Sequence, residues 1–66
     1  MKVTLNGQSK EFSNSSRLND IVQQFCQNSN RIIAEVNGEI VKSARWPETE
    51  IKEGDTIELV NFVGGG

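Results

Sequence analysis

Residues 18–26, with the sequence LNDIVQQFC, decide the fold because their apolar side chains recur at intervals of three and four positions. This spacing is the period of one face of an α-helix. The sequence therefore predicts a short amphipathic helix, with Ser16 as its N-cap and Asp20 in its first turn. The apolar side chains predicted to pack this helix on the rest of the domain are Leu18, Ile21, Val22, Phe25 and Cys26.

A pair of short strands joined by Asn-Gly is predicted on each side of this helix. In residues 1–12, a strand of alternating apolar and polar side chains precedes Asn6-Gly7, and a returning strand of mixed composition follows. In residues 32–41, a similar alternating strand is followed by a second Asn-Gly pair and the start of a fourth strand. Asn-Gly is a strong hairpin signal because both turn positions must adopt positive φ.

A fifth strand is predicted at residues 56–62, with Ile57 and Leu59 facing inward. Residues 42–55 before it are predicted to be irregular, with Trp46 at the edge of the core. The order strand, strand, helix, strand, strand, loop, strand indicates an α+β domain in which the helix lies across one face of a mixed sheet. If the second and third strands, which the helix connects, are parallel, their crossover should be right-handed.

The composition argues against an enzyme, a metal site and a disulfide. The chain has 66 residues, one cysteine and no histidine, so we expect one small domain without the usual zinc ligands or general bases. The net charge of −2 and the lack of a basic stripe argue against nucleic acid as a partner. No apolar run reaches the ~20 residues that span a bilayer, and no signal peptide is recognisable, so we expect no membrane association and a cytoplasmic location.

Residues 63–66, with the sequence VGGG, form a segment that folding does not explain. Glycine loses the most conformational entropy on ordering and buries no side chain, so residues 1–62 are predicted to be the domain and residues 63–66 a flexible tail. One interpretation of the tail is a frayed chain end. The other is chemical, since four extended residues reach ~13–14 Å and a terminal carboxylate is an anion that can attack a phosphoryl group in a narrow cleft.

Three segments together resemble the ThiS family, the sulfur carriers of thiamine biosynthesis. They are residues 36–41 (VNGEIV), residues 54–60 (GDTIELV) and residues 62–66 (FVGGG). The resemblance covers the whole chain, including its length, and implies a β-grasp, ubiquitin-like fold with one helix packed across a mixed sheet. Arg17 departs from the small helix-capping residue that the family often has, which concerns the start of the helix and not the function.

The resemblance implies a cycle in which Gly66 carries the sulfur. An E1-like adenylyltransferase (ThiF), using ATP and magnesium, would convert the Gly66 carboxylate to an acyl-adenylate. Sulfur from cysteine, supplied through a cysteine desulfurase, would displace AMP and leave a thiocarboxylate for thiazole synthase (ThiG). Val63, Gly64 and Gly65 would thread into these partners. The chain itself would be their substrate and would bind no cofactor or metal.

Three further features have both a structural and a functional interpretation. Val60 and Phe62 share one side of the last strand, where they are either covered by the loop that holds Trp46 or form an exposed docking patch for a partner. Cys26 is predicted to be a buried structural residue and not a reactive thiol. Five of the nine acidic residues lie within residues 48–58, either as a solvated face or as a charge that steers a basic partner.

Two other functions remain as alternatives. The small subunit of molybdopterin synthase uses the same thiocarboxylate chemistry on a different acceptor, although that family is usually longer. A ubiquitin-like interaction module would have a tail that is inert or that forms an isopeptide bond. Deleting Gly66 separates a carrier from an interaction module, because only the carrier would lose all activity.

Overall fold

The computed structural model describes residues 1–25 and 31–61. These residues form five strands, one α-helix and one 3-10 helix. In chain order the elements are β1 (Lys2–Leu5), β2 (Gln8–Glu11), α1 (Leu18–Phe25), β3 (Ile32–Val36), β4 (Glu39–Val41), the 3-10 helix (Ser43–Glu48) and β5 (Thr56–Asn61). The predicted order of strands and helix is confirmed.

The five strands form one mixed sheet in the order β2-β1-β5-β3-β4. β1 and β5 are parallel, and the other neighbouring strands are antiparallel. β5 therefore lies between the two hairpins. The strands that α1 connects, β2 and β3, run in the same direction but are separated by β1 and β5, so they are not neighbours. The sequence did not reveal this order, because the alternation of inward and outward side chains in β5 would be the same whichever strands it paired with.

Both Asn-Gly turns have the backbone geometry that their sequence predicts. The φ angles are 50° at Asn6 and 81° at Gly7, and 52° at Asn37 and 87° at Gly38. Positive φ at both positions is the requirement of a type I′ turn, whose twist matches that of the two strands it joins. The two predicted hairpins are confirmed.

The core lies between α1 and one face of the sheet. Leu18, Ile21 and Val22 of α1 are buried, as predicted. They form one cluster with inward side chains of β1, β3 and β5 and with two residues of the connection from β4 to β5: Val3, Leu5, Ile32, Ala34, Trp46, Ile51, Ile57 and Leu59.

Phe25 is the exception on this face of α1, because 42% of it is exposed. The prediction that Phe25 packs on the sheet is therefore wrong. Phe25 ends α1 near β2, whose four residues are all exposed and offer no apolar cover. With Leu5 and Phe12 it lines an open groove of about 480 Å³. Cys26, predicted to be buried on the same helix face, lies outside the described residues.

The N-cap of α1 is Arg17, so the prediction of Ser16 is wrong. The carbonyl oxygen of Arg17 accepts the N–H of Ile21 at 3.3 Å. The Arg17 N–H donates to Oδ2 of Asp20 at 2.9 Å, which is one half of a capping box. The Ser16 hydroxyl is instead 3.1 Å from the hydroxyl of Ser13, so it stabilises the loop and not the helix end.

The 3-10 helix, Ser43–Glu48, replaces part of the segment predicted to be irregular. It places Trp46 in the core, where Nε1–H donates to the carbonyl oxygen of Val41 at 2.9 Å. Beyond this helix, the carbonyl oxygen of Thr49 accepts the N–H of Leu18 at 2.8 Å and ties the loop to the start of α1. Neither helix in the described part of the chain is long and apolar enough to cross a membrane.

Alanine substitutions one turn apart on α1 test this description of the core. Ile21→Ala removes a fully buried side chain, and we expect it to lower the free energy of unfolding by ~2–5 kcal/mol. Phe25→Ala removes a larger side chain that stays in contact with water, and we expect a loss below ~1.5 kcal/mol. Urea unfolding followed by circular dichroism measures both. Equal losses at the two positions would contradict the exposed placement of Phe25.

Candidate functional site

The candidate site is the last part of β5, which leads directly to the predicted tail. β5 pairs with β3 over its last five residues, from Ile57 opposite Val36 to Asn61 opposite Ile32. Its pairing with β1 covers Thr56 and Ile57 alone among the described residues. Residues 62–66 lie outside the described part, so the roles predicted for Phe62, Val63, Gly64, Gly65 and Gly66 stay predictions.

The start of β5 is held by the turn between β3 and β4. The backbone N–H of Asn37 donates to the carbonyl oxygen of Thr56 at 2.7 Å. The side chain of Asn37 accepts the N–H of Thr56 through Oδ1 at 2.9 Å and donates through Nδ2 to Asp55 Oδ1 at 3.0 Å. This turn residue therefore continues the pairing of β3 with β5 beyond the end of β3.

The later part of β5 is held in the same way by the turn between β1 and β2. The backbone N–H of Asn6 donates to the carbonyl oxygen of Ile57 at 2.9 Å. Its side chain then accepts the N–H of Leu59 through Oδ1 at 2.8 Å and donates through Nδ2 to the carbonyl oxygen of Leu59 at 3.2 Å. Sequence reasoning assigned Asn6 and Asn37 to turns and missed these contacts. The available signal was Asn at the first position of both turns, because its amide has both a donor and an acceptor.

Among the described residues, three exposed aliphatic side chains lie on the sheet face opposite α1, here called the outer face. Val60 of β5 is 54% exposed and lies opposite Ile33 of β3, which is 40% exposed. Ile40 of the neighbouring strand β4 is 68% exposed. We call Ile33, Ile40 and Val60 the outer patch. Exposed apolar groups that share one face commonly mark a protein-binding surface.

The exposure of Val60 decides between the two interpretations given for it. The loop that holds Trp46 does not cover it, because Trp46 is buried in the core cluster while Val60 is exposed. Sequence reasoning named Val60 but missed Ile33 and Ile40. Ile33 was recognisable, since it alternates with the inward Ile32 and Ala34. Ile40 was not, because β4 has three residues and too short a pattern to define a buried side.

Acidic residues divide between structural contacts and the outer face. Glu53 Oε1 accepts the N–H of Lys2 at 2.8 Å, and Asp55 Oδ2 accepts the N–H of Lys52 at 2.8 Å, so both stabilise the turn before β5. Glu58 lies directly opposite Glu35 in the pairing of β5 with β3. The acidic cluster of the sequence is therefore not one surface. Of Glu53, Asp55 and Glu58, only Glu58 lies on the outer face, where it forms a pair of like charges with Glu35 beside the outer patch.

Comparison with known proteins identifies the family. The model of the ThiS family matches residues 3–66. The chain belongs to the ThiS family. It is 33% identical over 63 residues to the sulfur carrier protein ThiS of Bacillus subtilis (strain 168). The match covers 94% of this chain and 96% of that protein. This ThiS-family chain is accordingly a sulfur carrier of thiamine biosynthesis, as the resemblance implied.

A solved structure of the ThiS family has the same fold. The crystal structure of the thiamine biosynthesis protein (ThiS) from Geobacter metallireducens superimposes with a TM-score of 0.85 and 26% sequence identity. The alignment covers 100% of both chains. The predicted β-grasp fold is confirmed by this match and by the mixed sheet with its single helix in the described residues.

A longer relative contains a segment similar to the whole ThiS-family chain. The thiazole synthase of Paramagnetospirillum magneticum (strain ATCC 700264 / AMB-1) is 32% identical over 66 residues. The match covers 100% of this chain and 20% of that protein. The chain therefore spans one fifth of the length of this relative.

The like charges of Glu35 and Glu58 lead to a prediction about stability. Like charges directly opposite on a sheet repel, so Glu35→Gln is expected to raise the free energy of unfolding by about 0.5 kcal/mol at low ionic strength. The gain should shrink as salt screens the charges. Glu39→Gln is the matched control, because Glu39 is exposed and lies opposite Val36. Urea unfolding at low and high ionic strength measures both variants, and equal effects would show that the two carboxylates do not interact.

Proposed function

We propose that this chain carries sulfur as a thiocarboxylate on Gly66 and donates it to thiazole synthase. The observation that supports this most directly is that the ThiS family model extends through residue 66 and so includes the glycine tail. The second support is the position of β5, whose last described residue is followed by the tail after one further residue, Phe62. A central strand held on both sides gives that tail a fixed origin.

The first step makes the carboxylate reactive. The Gly66 carboxylate attacks the α-phosphorus of ATP in an E1-like adenylyltransferase, pyrophosphate leaves with its electron pair, and an acyl-adenylate forms. Magnesium in that enzyme neutralises the phosphate charges. This chain needs no general base for the step, because its carboxylate is already ionised at neutral pH. The enzyme supplies ATP and magnesium, and this chain supplies the nucleophile.

The second step exchanges oxygen for sulfur. Hydrosulfide, released by a thiol reductant from the persulfide that a desulfurase forms with cysteine sulfur, attacks the carbonyl carbon of Gly66. A carbon–sulfur bond forms, AMP leaves with the electron pair of the broken carbon–oxygen bond, and the thioacid loses its proton. The product is a thiocarboxylate. Val63, Gly64 and Gly65 thread into the cleft of the partner, and glycine suits this because a chain without Cβ permits close approach of the enzyme. The chain is thus a substrate and not a catalyst.

Thiazole synthase is the proposed acceptor. The relative from Paramagnetospirillum magneticum is called thiazole synthase and contains a segment similar to all 66 residues of this chain. Joining a carrier and its acceptor in one chain raises their effective concentration, which is useful only if they work together. Neither the family nor this relative favours molybdopterin synthase or an inert interaction module. The cytoplasm stays the predicted location of these steps.

The outer patch is the proposed docking surface for the activating enzyme. Ile33, Ile40 and Val60 lie on the outer face, and Val60 is six residues before Gly66. A partner that covers this patch also lies near the origin of the tail. Glu35 and Glu58 beside the patch favour a partner surface that carries basic side chains. Phe62 is predicted to belong to the same surface.

Modification of Gly66 is the decisive test of the proposed chemistry. Incubation with a ThiF-type adenylyltransferase, ATP, magnesium and sulfide should raise the intact mass by the difference between sulfur and oxygen. Tandem mass spectrometry should map the change to Gly66. Deleting Gly66 should abolish it while the circular dichroism spectrum is unchanged, because the core lies in the described residues that precede the tail.

Two controls define what this result means. Cys26→Ser should keep the modification, since the proposed sulfur-carrying group is the carboxylate and not the thiol. Adding a leucine after Gly66 should block it, because the new side chain collides with the cleft that accepts glycine. Sulfur on Cys26, or a mass change that survives deletion of Gly66, would refute the proposed carrier chemistry.

Charge substitutions on β5 test the docking surface. Val60→Lys should weaken binding to the activating enzyme about tenfold or more, because it places a charge in the apolar docking surface. Its effect on the free energy of unfolding should stay below ~1 kcal/mol, since Val60 is already exposed. Phe62→Lys is expected to behave similarly.

Thr56→Lys is the matched control for Val60→Lys. Thr56 is an exposed residue on the same strand and face, at the opposite end from the tail. Isothermal titration calorimetry should show little loss of affinity for Thr56→Lys. Equal losses for the two lysine variants would reject the outer patch as the docking surface and leave the chemistry at Gly66 unaffected.

A further inference from the structure

We propose that Asn6 is a positioning residue for the sulfur-carrying tail. Its side-chain amide continues the pairing of β5 after β1 has ended and so fixes the direction in which the chain leaves the sheet. This inference rests on the proposed function, because it assigns Asn6 a role in presenting Gly66 to the activating enzyme. Asn6 itself does not touch the reacting atoms.

The pairing of β1 with β5 stops too early to hold the end of β5. Its last residue pair is Leu5 with Ile57, and the chain then turns away at Asn6. Backbone groups alternate in direction along a strand, so the next residue of β5 whose N–H and C=O point towards β1 is Leu59. These two groups would lose their partners at this point, and a buried backbone group without a partner is costly.

The amide of Asn6 supplies both missing partners. Oδ1 accepts the Leu59 N–H at 2.8 Å, and Nδ2 donates to the Leu59 carbonyl oxygen at 3.2 Å. One side chain thus acts as an additional residue of β1. The contact joins positions 53 residues apart in sequence, so it also connects the first turn of the chain to the strand that leads to the tail.

Asparagine meets two requirements at this position that other residues do not meet together. The turn needs positive φ at Asn6, where the angle is 50°. Glycine and asparagine adopt positive φ readily, and aspartate is also tolerated there. Glycine has no side chain to reach Leu59, and an ionised aspartate lacks the donor for its carbonyl oxygen. The turn conformation alone does not require the amide, so the amide has a separate role on β5.

The place of this contact on β5 gives it an effect on the tail. Leu59 is the residue before Val60 of the outer patch and is seven positions before Gly66. With the amide in place, β5 is held on both sides through Leu59, and Val60 and Asn61 continue on the pairing with β3. Without it, β5 is held on both sides only as far as Ile57, and Leu59 joins Val60 and Asn61 in being held by β3 alone. The tail then leaves a docked domain in a wider range of directions.

Asn37 provides a matched control for Asn6. It also occupies the first position of an Asn-Gly turn, with φ of 52°, and its side chain also makes two hydrogen bonds, one of them to β5 and one to the residue before it. Those bonds are to Asp55 and Thr56, at the end of β5 away from the tail. Replacing either asparagine with glycine keeps positive φ available and removes two side-chain hydrogen bonds.

The experiment compares Asn6→Gly with Asn37→Gly in the full chain. At a temperature where both variants are folded by circular dichroism, kcat/KM for ATP-dependent adenylation by a ThiF-type enzyme should fall about fivefold for Asn6→Gly, because the nucleophile is presented less accurately. The fall for Asn37→Gly should be less than about twofold, although its loss of thermal stability should be similar. Asn6→Asp keeps the acceptor for the Leu59 N–H and serves as a second variant if Asn6→Gly does not fold. Like Asn6→Gly, Asn6→Asp should lower kcat/KM.

Amide hydrogen exchange provides a measurement without the enzyme. Exchange at Leu59 and Val60 should accelerate in Asn6→Gly and not in Asn37→Gly. Equal values of kcat/KM for the two glycine variants, or unchanged exchange at Leu59 in Asn6→Gly, would overturn the positioning role. If the original chain is not adenylated at all, the proposed function fails together with this inference. Adenylation of the original chain with equal losses in both variants rejects the role of Asn6 alone.

Discussion

The hydrogen bonds on the two sides of β5 hold this domain together. On one side β5 pairs with β3, and on the other with β1, so the N-terminal and C-terminal hairpins share a strand that belongs to neither. Ile57 and Leu59 on its inner side are buried beneath α1. Loss of β5 would therefore separate the sheet into two hairpins and expose the core to water at the same time. A two-stranded hairpin by itself is at most marginally stable.

The two faces of β5 serve different purposes. Its inner face contributes to a core that has eleven buried apolar residues in the described part of the chain, and a core in a chain of 66 residues leaves little stability to spare. Its outer face has Glu58 opposite Glu35 and Val60 opposite Ile33, pairs that add charge repulsion or exposed apolar area. These pairs are poor choices for stability alone and suit a surface that a partner covers. The same strand thus connects the core, the proposed docking surface and the predicted tail.

Much of the architecture followed from simple patterns in the sequence. The alternation of Val3 and Leu5, the stripe of Leu18, Ile21 and Val22, and the two Asn-Gly pairs were sufficient for the elements and their inward faces. The central place of β5 was not, because strand order depends on contacts between distant residues and not on local periodicity. Phe25 continued the helical period and was still exposed, since burial also requires a partner surface and β2 offers none.

The candidate site shows the same division between local and distant information. Alternation along β5 predicted that Val60 faces outward. Whether the loop that holds Trp46 covers it became clear only from the structure, in which Trp46 is buried in the core and Val60 is exposed. Asn6 and Asn37 were recognised for their backbone conformation, whereas the bonds of their amides to β5 depend on a strand 19 to 53 residues away in sequence. The N-cap was misplaced because two serines precede Arg17, and the hydroxyls of both lie near the Ser13 hydroxyl in the loop and not at the helix end.

The central position of β5 also has a consequence for synthesis of the protein. The ribosome makes both hairpins and α1 before it makes β5. For a time, therefore, β1 and β3 each have one unpaired edge, the edge that later pairs with β5. Closure of the sheet depends on contacts between distant parts of the chain, which form more slowly than helices or hairpins. A nascent or truncated chain that lacks β5 would therefore present two open strand edges and an uncovered apolar face to other molecules. Exposed strand edges and apolar surface of this kind are what chaperones bind, and the domain is complete only after β5 has been inserted between β1 and β3.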